Sequence, residues 1–167
     1  YFFYYIYRRG SVVSVEILPD GQTLYFSSNG HTGMGGLDIF MSKLGEDGQW
    51  GNPINLGYPI NSFVDENSIL VSSSGELAYF ASNREGGFGS LDLYYFELPE
   101  SYRPVNTTFM RGKVFDAVTK EPLSAKFELK DLSTGKVFKQ AYANTGNGEF
   151  LVAIPTNKEF ALHAEHE

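Results

Sequence analysis

The pattern of apolar and polar positions from Leu18 to Phe40 occurs twice in this chain. Sliding the sequence along itself until Gly21 falls on Gly75, without a gap, places nine residues of the first copy on identical residues of the second. This agreement at one offset indicates an internal repeat. The identical pairs are Gly21 and Gly75, Tyr25 and Tyr79, Phe26 and Phe80, Ser28 and Ser82, Asn29 and Asn83, Gly33 and Gly87, Gly35 and Gly89, Leu37 and Leu91, and Asp38 and Asp92.

Each copy has the pattern of antiparallel strands joined by turns. Gly21 and Gly75 mark tight turns that need a positive φ, and an aromatic strand follows each of them. A long Gly-rich link then leads into a third strand, at residues 37–40 in the first copy. We predict a fourth strand around residues 50–56, giving one four-stranded sheet per period. Small repeated sheets that cannot bury both faces alone are typical of propellers and stacked arrays.

The pattern changes after residue 98. Pro99 and Pro104 predict a semi-extended linker over residues 99–108, which separates the repeats in residues 1–98 from a second domain in residues 109–167. Five short strands at regular spacing predict a small β-sandwich in that second domain. We place these strands at residues 110–116, 125–130, 137–142, 150–154 and 159–164.

Residues 1–10 fit the repeat poorly. If residues 6–7 are matched to residues 39–40 as the end of a third strand, about half a repeat is missing before Leu24. We hypothesise that residues on either side of a loop have been joined here, or that the side chains are wrongly assigned. One continuous peptide across Gly10-Ser11 in a peptide map would contradict this hypothesis.

Composition supports an all-β chain and excludes several classes of function. The chain has 18 Gly, 11 Tyr and 14 Phe, and we expect almost no helix. Its formal charge of -7 disfavours non-specific binding to nucleic acid or to an anionic membrane. Without Cys it has no disulfide, thiolate metal site or cysteine nucleophile, and no apolar run approaches the ~20 residues that span a bilayer.

The repeated unit resembles the PD40, or WD40-like, β-propeller repeat of periplasmic proteins. The resemblance rests on the Pro19-Asp20-Gly21 turn, the strand end at residues 25–29 and the strand at residues 37–40. The pattern between the copies is most similar to that of large OmpA-family envelope proteins. It consists of Trp50, Leu56-Gly57, Ile60-Asn61-Ser62 and Asp65-Glu66.

Residues 109–167 resemble the carboxypeptidase-regulatory-like domain, a transthyretin-like β-sandwich. The matching segments are residues 112–114, Asp116 with residues 119–123, residues 146–150 and residues 160–164. Together the two resemblances imply the middle of a peptidoglycan-tethered outer-membrane lipoprotein of the kind associated with type IX secretion and gliding motility. Such propellers usually have about six blades. We therefore expect a fragment, with a partial β-propeller and a sandwich that lacks its last strand.

The resemblance also implies a location and partners. We expect a periplasmic, outer-membrane-associated module that contacts a protein of a secretion or motility complex. It would reach peptidoglycan through a domain that is not present here, without inserting into the membrane itself.

Few residues suggest chemistry, and we predict no catalytic, metal or cofactor site. The chain contains no G-x-S-x-G, H-E-x-x-H or P-loop motif. The three His residues, His31, His163 and His166, are too scattered for a convincing metal site. Asp38 and Asp92 are predicted to accept backbone hydrogen bonds from the Gly-rich links, and Asn29 and Asn83 are given the same structural role.

Three further features have two possible interpretations. Asp65-Glu66 and Asn67 offer oxygens to calcium, but no EF-hand spacing is present, so we favour a solvated turn. Trp50 is favoured as a packing anchor between sheets over a ligand platform. Met34 and Phe88 lie at equivalent loop positions and are candidate partner contacts, although simple packing over the sheet edge is the favoured interpretation.

These observations favour a non-catalytic scaffold that recognises other proteins through its surfaces and loops. One alternative is the substrate-gating propeller of a peptidase, which would adjoin an α/β-hydrolase domain with its own nucleophile. Another alternative is a glycan-binding propeller, which the many Tyr residues favour.

Overall fold

A computed structural model describes residues 10–45 and 47–165 and divides the chain into two compact units, with the boundary between Val105 and Asn106. The hypothesis for the first residues and the prediction for His166 fall outside the described part. All regular structure described is β, except a single 3-10 turn at Glu100–Tyr102. The described residues include no helix that is long and apolar enough to cross a membrane.

The first unit contains two antiparallel sheets that follow the sequence repeat. The first sheet has the strand order β1-β2-β3-β4, and the second has the order β5-β6-β7. The repeat is kept in the structure, because β1, β2 and β3 have the same bounds as β5, β6 and β7 once the two copies are aligned. The bounds are β1 (Val12–Ile17), β2 (Thr23–Ser28), β3 (Asp38–Lys43), β4 (Ile54–Asn55), β5 (Glu66–Val71), β6 (Leu77–Ser82) and β7 (Asp92–Glu97).

Among the described residues, the predicted fourth strand is present in the first sheet and not in the second. Here β4 pairs with β3 through Asn55 opposite Phe40 and Ile54 opposite Met41. The expectation of four strands per period is wrong for the second sheet. The repeat equivalents of β4, residues 108–109, form part of a strand of the other unit, so they do not extend the second sheet.

The two sheets of the first unit pack face to face through β5, which contacts β1, β2 and β3. Alternation along the strands directs one side of each strand to this contact. Each large apolar side chain buried here contributes roughly 1.5–3 kcal/mol. The buried cluster includes Tyr25, Ile39 and Met41 of the first sheet and Ile69, Val71, Ala78 and Phe80 of the second.

Trp50 is buried, as predicted, but its position differs from the prediction. It lies in a cluster with Leu24, Phe26 and Phe40, which all belong to the first sheet. A backbone bridge between Leu44 and Trp50 holds it there. Among the described residues, Trp50 therefore anchors one face of the first sheet and does not join two sheets.

Within the described part of the chain, neither sheet of the first unit closes into a barrel or ring. The all-β class is therefore confirmed, but a β-propeller is not established by this arrangement.

The segment after β7 belongs largely to the first unit. The Tyr25 hydroxyl donates a hydrogen bond to the carbonyl of Tyr102, and the Val105 N–H donates to the Asp20 carboxylate at 3.0 Å. The predicted linker, residues 99–108, thus begins with a segment fixed to the repeats. Its last residues already belong to the next strand, which starts at Thr107.

The second unit contains the five predicted strands in two sheets, ordered β10-β9-β12 and β11-β8. Phe127 and Leu129 of one sheet and Val152 of the other form a common buried cluster. The rings of Phe127 and Phe150 lie 4.5 Å apart across it. The bounds are β8 (Thr107–Lys113), β9 (Lys126–Asp131), β10 (Val137–Tyr142), β11 (Glu149–Pro155) and β12 (Phe160–Glu165).

Candidate interaction site

A buried carboxylate organises the first Gly-rich loop, residues 30–37. Asp38 is 1% exposed and begins β3. Its carboxylate accepts the backbone N–H groups of Met34, at 3.0 Å, and Gly35, at 3.3 Å. The predicted structural role of Asp38 is confirmed, because these loop donors would otherwise need water as a partner.

The second Gly-rich loop, residues 84–91, repeats this construction. The Asp92 carboxylate accepts the N–H groups of Phe88, at 2.9 Å, and Gly89, at 3.1 Å. Asp92 is only partly buried, so water reaches this copy more easily than the first. The prediction for Asp92 is also confirmed.

In each loop, one position must be glycine because the aspartate carboxylate lies too close to leave room for a side chain. A Cβ on Gly33 would lie 1.9 Å from Oδ2 of Asp38, and a Cβ on Gly87 would lie 2.0 Å from Oδ2 of Asp92. Only glycine therefore leaves room for the carboxylate to reach the loop donors.

Met34 and Phe88 are presented at the same position of these two loops. Met34 is half-exposed and Phe88 is fully exposed, although the backbone N–H of each is tied to an aspartate. This combination places apolar side chains on fixed backbone in solvent. Their suggested role as partner contacts remains a prediction.

Asn29 and Asn83 also have equivalent structural roles, but their donors lie outside the Gly-rich links. The Asn29 side-chain oxygen accepts the N–H of Ser11 at 2.7 Å, and that of Asn83 accepts the N–H of Asp65 at 3.1 Å. Each asparagine therefore fixes the residue that precedes the first strand of its own sheet.

Gly21 and Gly75 adopt the positive φ values predicted for the turn, 66° and 73°. The first turn is reinforced by the Asp20 carboxylate, which accepts the N–H groups of Gln22 and Thr23, both at 2.9 Å. In the second turn Ser74 replaces this aspartate, and its hydroxyl accepts the Glu76 N–H at 3.4 Å. The Leu77 N–H, the repeat equivalent of the Thr23 N–H, is accepted instead by the Ser72 hydroxyl at 3.1 Å. Two serine hydroxyls in the second turn therefore accept the N–H groups that one carboxylate accepts in the first.

The favoured interpretation of Asp65-Glu66 as a solvated turn is wrong for Glu66. Asp65 is partly buried and accepts the Leu37 N–H at 2.8 Å, which ties the first Gly-rich loop to the start of the second sheet. Glu66 is completely buried. The described residues contain no group of three or more His, Cys, Asp or Glu that could hold a metal ion.

The partner of Glu66 is Arg84, which the sequence did not suggest. The guanidinium lies 2.9 Å from the Glu66 carboxylate and donates a second bond, of 2.8 Å, to the carbonyl of Ile60. It also lies over the rings of Phe80 and Tyr94, at 4.8 and 5.1 Å. The one available signal was that Arg84 stands where the first copy has Gly30.

Burial also perturbs two groups where the sheets meet. The pKa of Glu16 is raised by burial, although the Val71 N–H that it accepts at 3.0 Å partly offsets this effect. Burial is likewise the main cause of the raised pKa of the Tyr25 hydroxyl, and the negative charges of Asp20 and Glu16 add to it. These groups form part of the packing between the sheets and not of an exposed site.

A cleft of about 340 Å³ lies beside His31. The His31 ring packs against the rings of Phe26 and Phe40, at 5.6 and 5.2 Å. His163, in the second unit, lies 2.9 Å from Glu165. His31 and His163 thus belong to different units. The cleft is lined by Gly30, His31, Thr32, Phe40, Asn52, Pro53 and Asn55.

Comparisons with protein-family models, with curated proteins and with solved structures give no match to this chain.

Proposed function

We propose that this chain is a non-catalytic scaffold module that binds other proteins in the bacterial periplasm. In this proposal the two stacked sheets are neighbouring blades of a partial β-propeller, and the second unit is a transthyretin-like sandwich. The module would belong to an OmpA-family outer-membrane lipoprotein that links a secretion or gliding complex to peptidoglycan. The location, the parent protein and the partner rest on the sequence resemblance.

The observation that carries the binding role is the matched pair of loops that display Met34 and Phe88. A partner that contacts a fixed loop loses less conformational entropy than one that must order a flexible loop. Exposed apolar side chains on such a loop supply area that becomes favourable once it is buried. Because both repeats have the same loop construction, a partner that spans both sheets would meet two similar contacts.

The polar side chains of the repeat support a structural role over catalysis. Asp38, Asp92 and Asn83 accept hydrogen bonds from backbone N–H groups of other residues of this chain. Glu66 is paired with Arg84. Groups engaged in this way stabilise loops and strand ends. They are positioned to shape a surface and not to exchange protons with a substrate.

Site-specific photo-crosslinking in the source bacterium tests the binding role. A photoreactive residue would replace Met34 or Phe88 in the full-length protein, and Val118, which is exposed in the second unit, would serve as the matched control. We expect the same outer-membrane or periplasmic protein to be crosslinked at residues 34 and 88 but not at 118. No adduct at either loop, or the same adduct at all three positions, would reject the proposed contact.

A peptide map of the intact source polypeptide tests the rest of the proposal. Peptides from a lipidated N-terminal Cys and from an OmpA-like domain would support the wall-tethered scaffold. Peptides from a hydrolase domain would instead favour the substrate-gating alternative. Hydrolysis of a peptide or glycan by the full-length protein, abolished by one substitution within this chain, would overturn the non-catalytic assignment.

A further inference from the structure

One face of the second sheet is exposed, whereas the equivalent face of the first sheet is buried against β5. Leu93 and Tyr95 of β7 are 74% and 71% exposed, and Leu70 of β5 is 62% exposed. Tyr79 of β6 lies beside them, with its ring 6.2 Å from that of Tyr95. We call these four side chains, Leu70, Tyr79, Leu93 and Tyr95, the free face.

The repeat shows what kind of surface fits the free face. Its members Tyr79, Leu93 and Tyr95 are the repeat equivalents of Tyr25, Ile39 and Met41. Those three first-sheet residues are buried beneath Ile69 and Val71 of β5. The free face is therefore the second copy of a surface that already binds a β5-type strand within this molecule.

The molecule also exposes a second copy of the strand that does this covering. Val15 and Ile17 of β1 are the repeat equivalents of Ile69 and Val71, and both are about half-exposed, as is Val13. We call Val13, Val15 and Ile17 the β1 ridge. The two exposed surfaces reproduce the two sides of the contact between the sheets, so each continues an interface that the chain already forms.

We propose that a second copy of this chain docks its β1 ridge on the free face. The contact is head-to-tail, since the two surfaces involved are different, and each added copy leaves one of each surface available. Such an assembly extends as an open filament unless the rotation per copy divides a full turn without a shift along the axis, in which case it closes into a ring. The four to eight blades of known propellers correspond to about two to four copies, because each copy contributes two sheets.

The contact between copies is more apolar than its internal counterpart. Within one molecule Glu16 accepts the Val71 N–H at 3.0 Å, and the Ser27 hydroxyl donates to the Glu66 carbonyl at 2.5 Å. On the free face Leu70 and Ala81 occupy the positions of Glu16 and Ser27 and have neither group. Two hydrogen bonds are thus absent, and docking is reversible and concentration-dependent. The docking contact rests on the repeat and not on the proposed scaffold role, whereas the number of copies in a ring rests on the proposed propeller.

Sedimentation velocity from about 1 to 100 μM tests self-association. We expect the wild-type chain to exceed its monomer mass of 18.6 kDa as concentration rises. Leu93→Glu removes the free face and Val15→Glu removes the β1 ridge, so each variant alone stays monomeric. Val118→Glu, an exposed substitution in the other unit, serves as the matched control and associates like the wild type.

Mixing the two variants distinguishes a head-to-tail contact from a symmetric one. An equimolar mixture of Leu93→Glu and Val15→Glu forms a dimer of one chain each, because one intact copy of each surface remains. A wild-type chain that stays monomeric, a Val15→Glu chain that associates like the wild type, or a mixture that stays monomeric each overturns the proposal. Circular dichroism checks folding, and Tyr95→Lys with Ile17→Lys replaces the pair if either variant unfolds.

Discussion

The Arg84 guanidinium lies 2.9 Å from the carboxylate of Glu66, which is completely buried at the start of β5. The Glu66 carboxylate also accepts hydrogen bonds from the backbone and hydroxyl of Ser62, at 2.9 and 2.6 Å. The Glu66 carboxylate therefore connects the loop before β5, through Ser62, to Arg84, which lies just after the end of β6. A buried carboxylate with this many donors is tolerated only while its cation remains in place.

Replacing Arg84 should strongly destabilise the first unit. Arg84→Met leaves the Glu66 charge buried without its cation, and we expect a loss of roughly 3–5 kcal/mol. Adding Glu66→Gln should restore part of this loss, since the uncompensated charge is then removed. Urea unfolding followed by the fluorescence of Trp50, the single tryptophan, measures the first unit.

Lys43→Met is the control for this experiment, because Lys43 is exposed and donates a long bond, of 3.4 Å, to the Arg103 carbonyl. We expect a change within about 0.5 kcal/mol. Equal effects of the Arg84 and Lys43 substitutions would contradict the importance of the buried pair.

Asp38 and Asp92 should contribute differently to the free energy of unfolding, although they accept equivalent hydrogen bonds. Asp38→Ala leaves the Met34 and Gly35 N–H groups of a part-buried site without their acceptor, at a cost of about 1–3 kcal/mol. Asp92→Ala should cost less, because water can replace the carboxylate at a partly exposed position. Urea unfolding gives both values, and hydrogen exchange at Met34 and Phe88 shows whether each loop opens. A larger cost at Asp92 would refute this assignment.

Gly33 and Gly21 should tolerate alanine differently. Gly21→Ala meets no atom within 4 Å and suffers only the left-handed backbone penalty of roughly 1–2 kcal/mol. Gly33→Ala places its Cβ on the Asp38 carboxylate and displaces it from the loop. The cost of Gly33→Ala should therefore be much reduced in an Asp38→Ala background, which a double-mutant cycle measures. Strict additivity of the two substitutions would show that the clash is relieved in another way.

Acid should weaken the second unit through Asp131. The Lys158 ammonium, which lies 2.7 Å away, and the Ser133 hydroxyl hold the pKa of Asp131 well below its usual range. Because the folded pKa is depressed, the stabilisation is present above the unfolded value of about 3.9 and is lost as pH falls through the folded pKa.

Asp131→Asn should reduce the loss of stability below about pH 4, and Lys158→Met should act in the same direction. Urea unfolding of residues 106–167 at several pH values, followed by far-ultraviolet circular dichroism, checks both. An unchanged acid dependence in both variants would exclude this pair as its source.

Local patterns predicted most of the strands in this protein. The turn at Gly21 and the aromatic run that follows it were enough to place β2, and the repeat transferred that placement to β6. The position of Asp38 directly before a strand and after a glycine-rich segment indicated its hydrogen bonds. These features depend on residues close together in the sequence.

Contacts between distant residues were not predictable in the same way. Glu66 resembles a solvated residue in sequence, and only the folded chain brings Arg84 to it. The three-stranded form of the second sheet, as far as the chain is described, depends on where the second unit begins, which the period of the repeat does not reveal. Trp50 was correctly predicted to be buried, but the sequence did not indicate which sheet it covers.

The hydrogen bond from Leu37 to Asp65 has a consequence for how the first unit unfolds. It crosses the boundary between the two repeats, as does the bond from the Ser27 hydroxyl to the Glu66 carbonyl. Opening β5 would break both bonds and expose the apolar surface of the first sheet. The two repeats therefore form one cooperative unit, and neither is expected to persist as an independently folding intermediate.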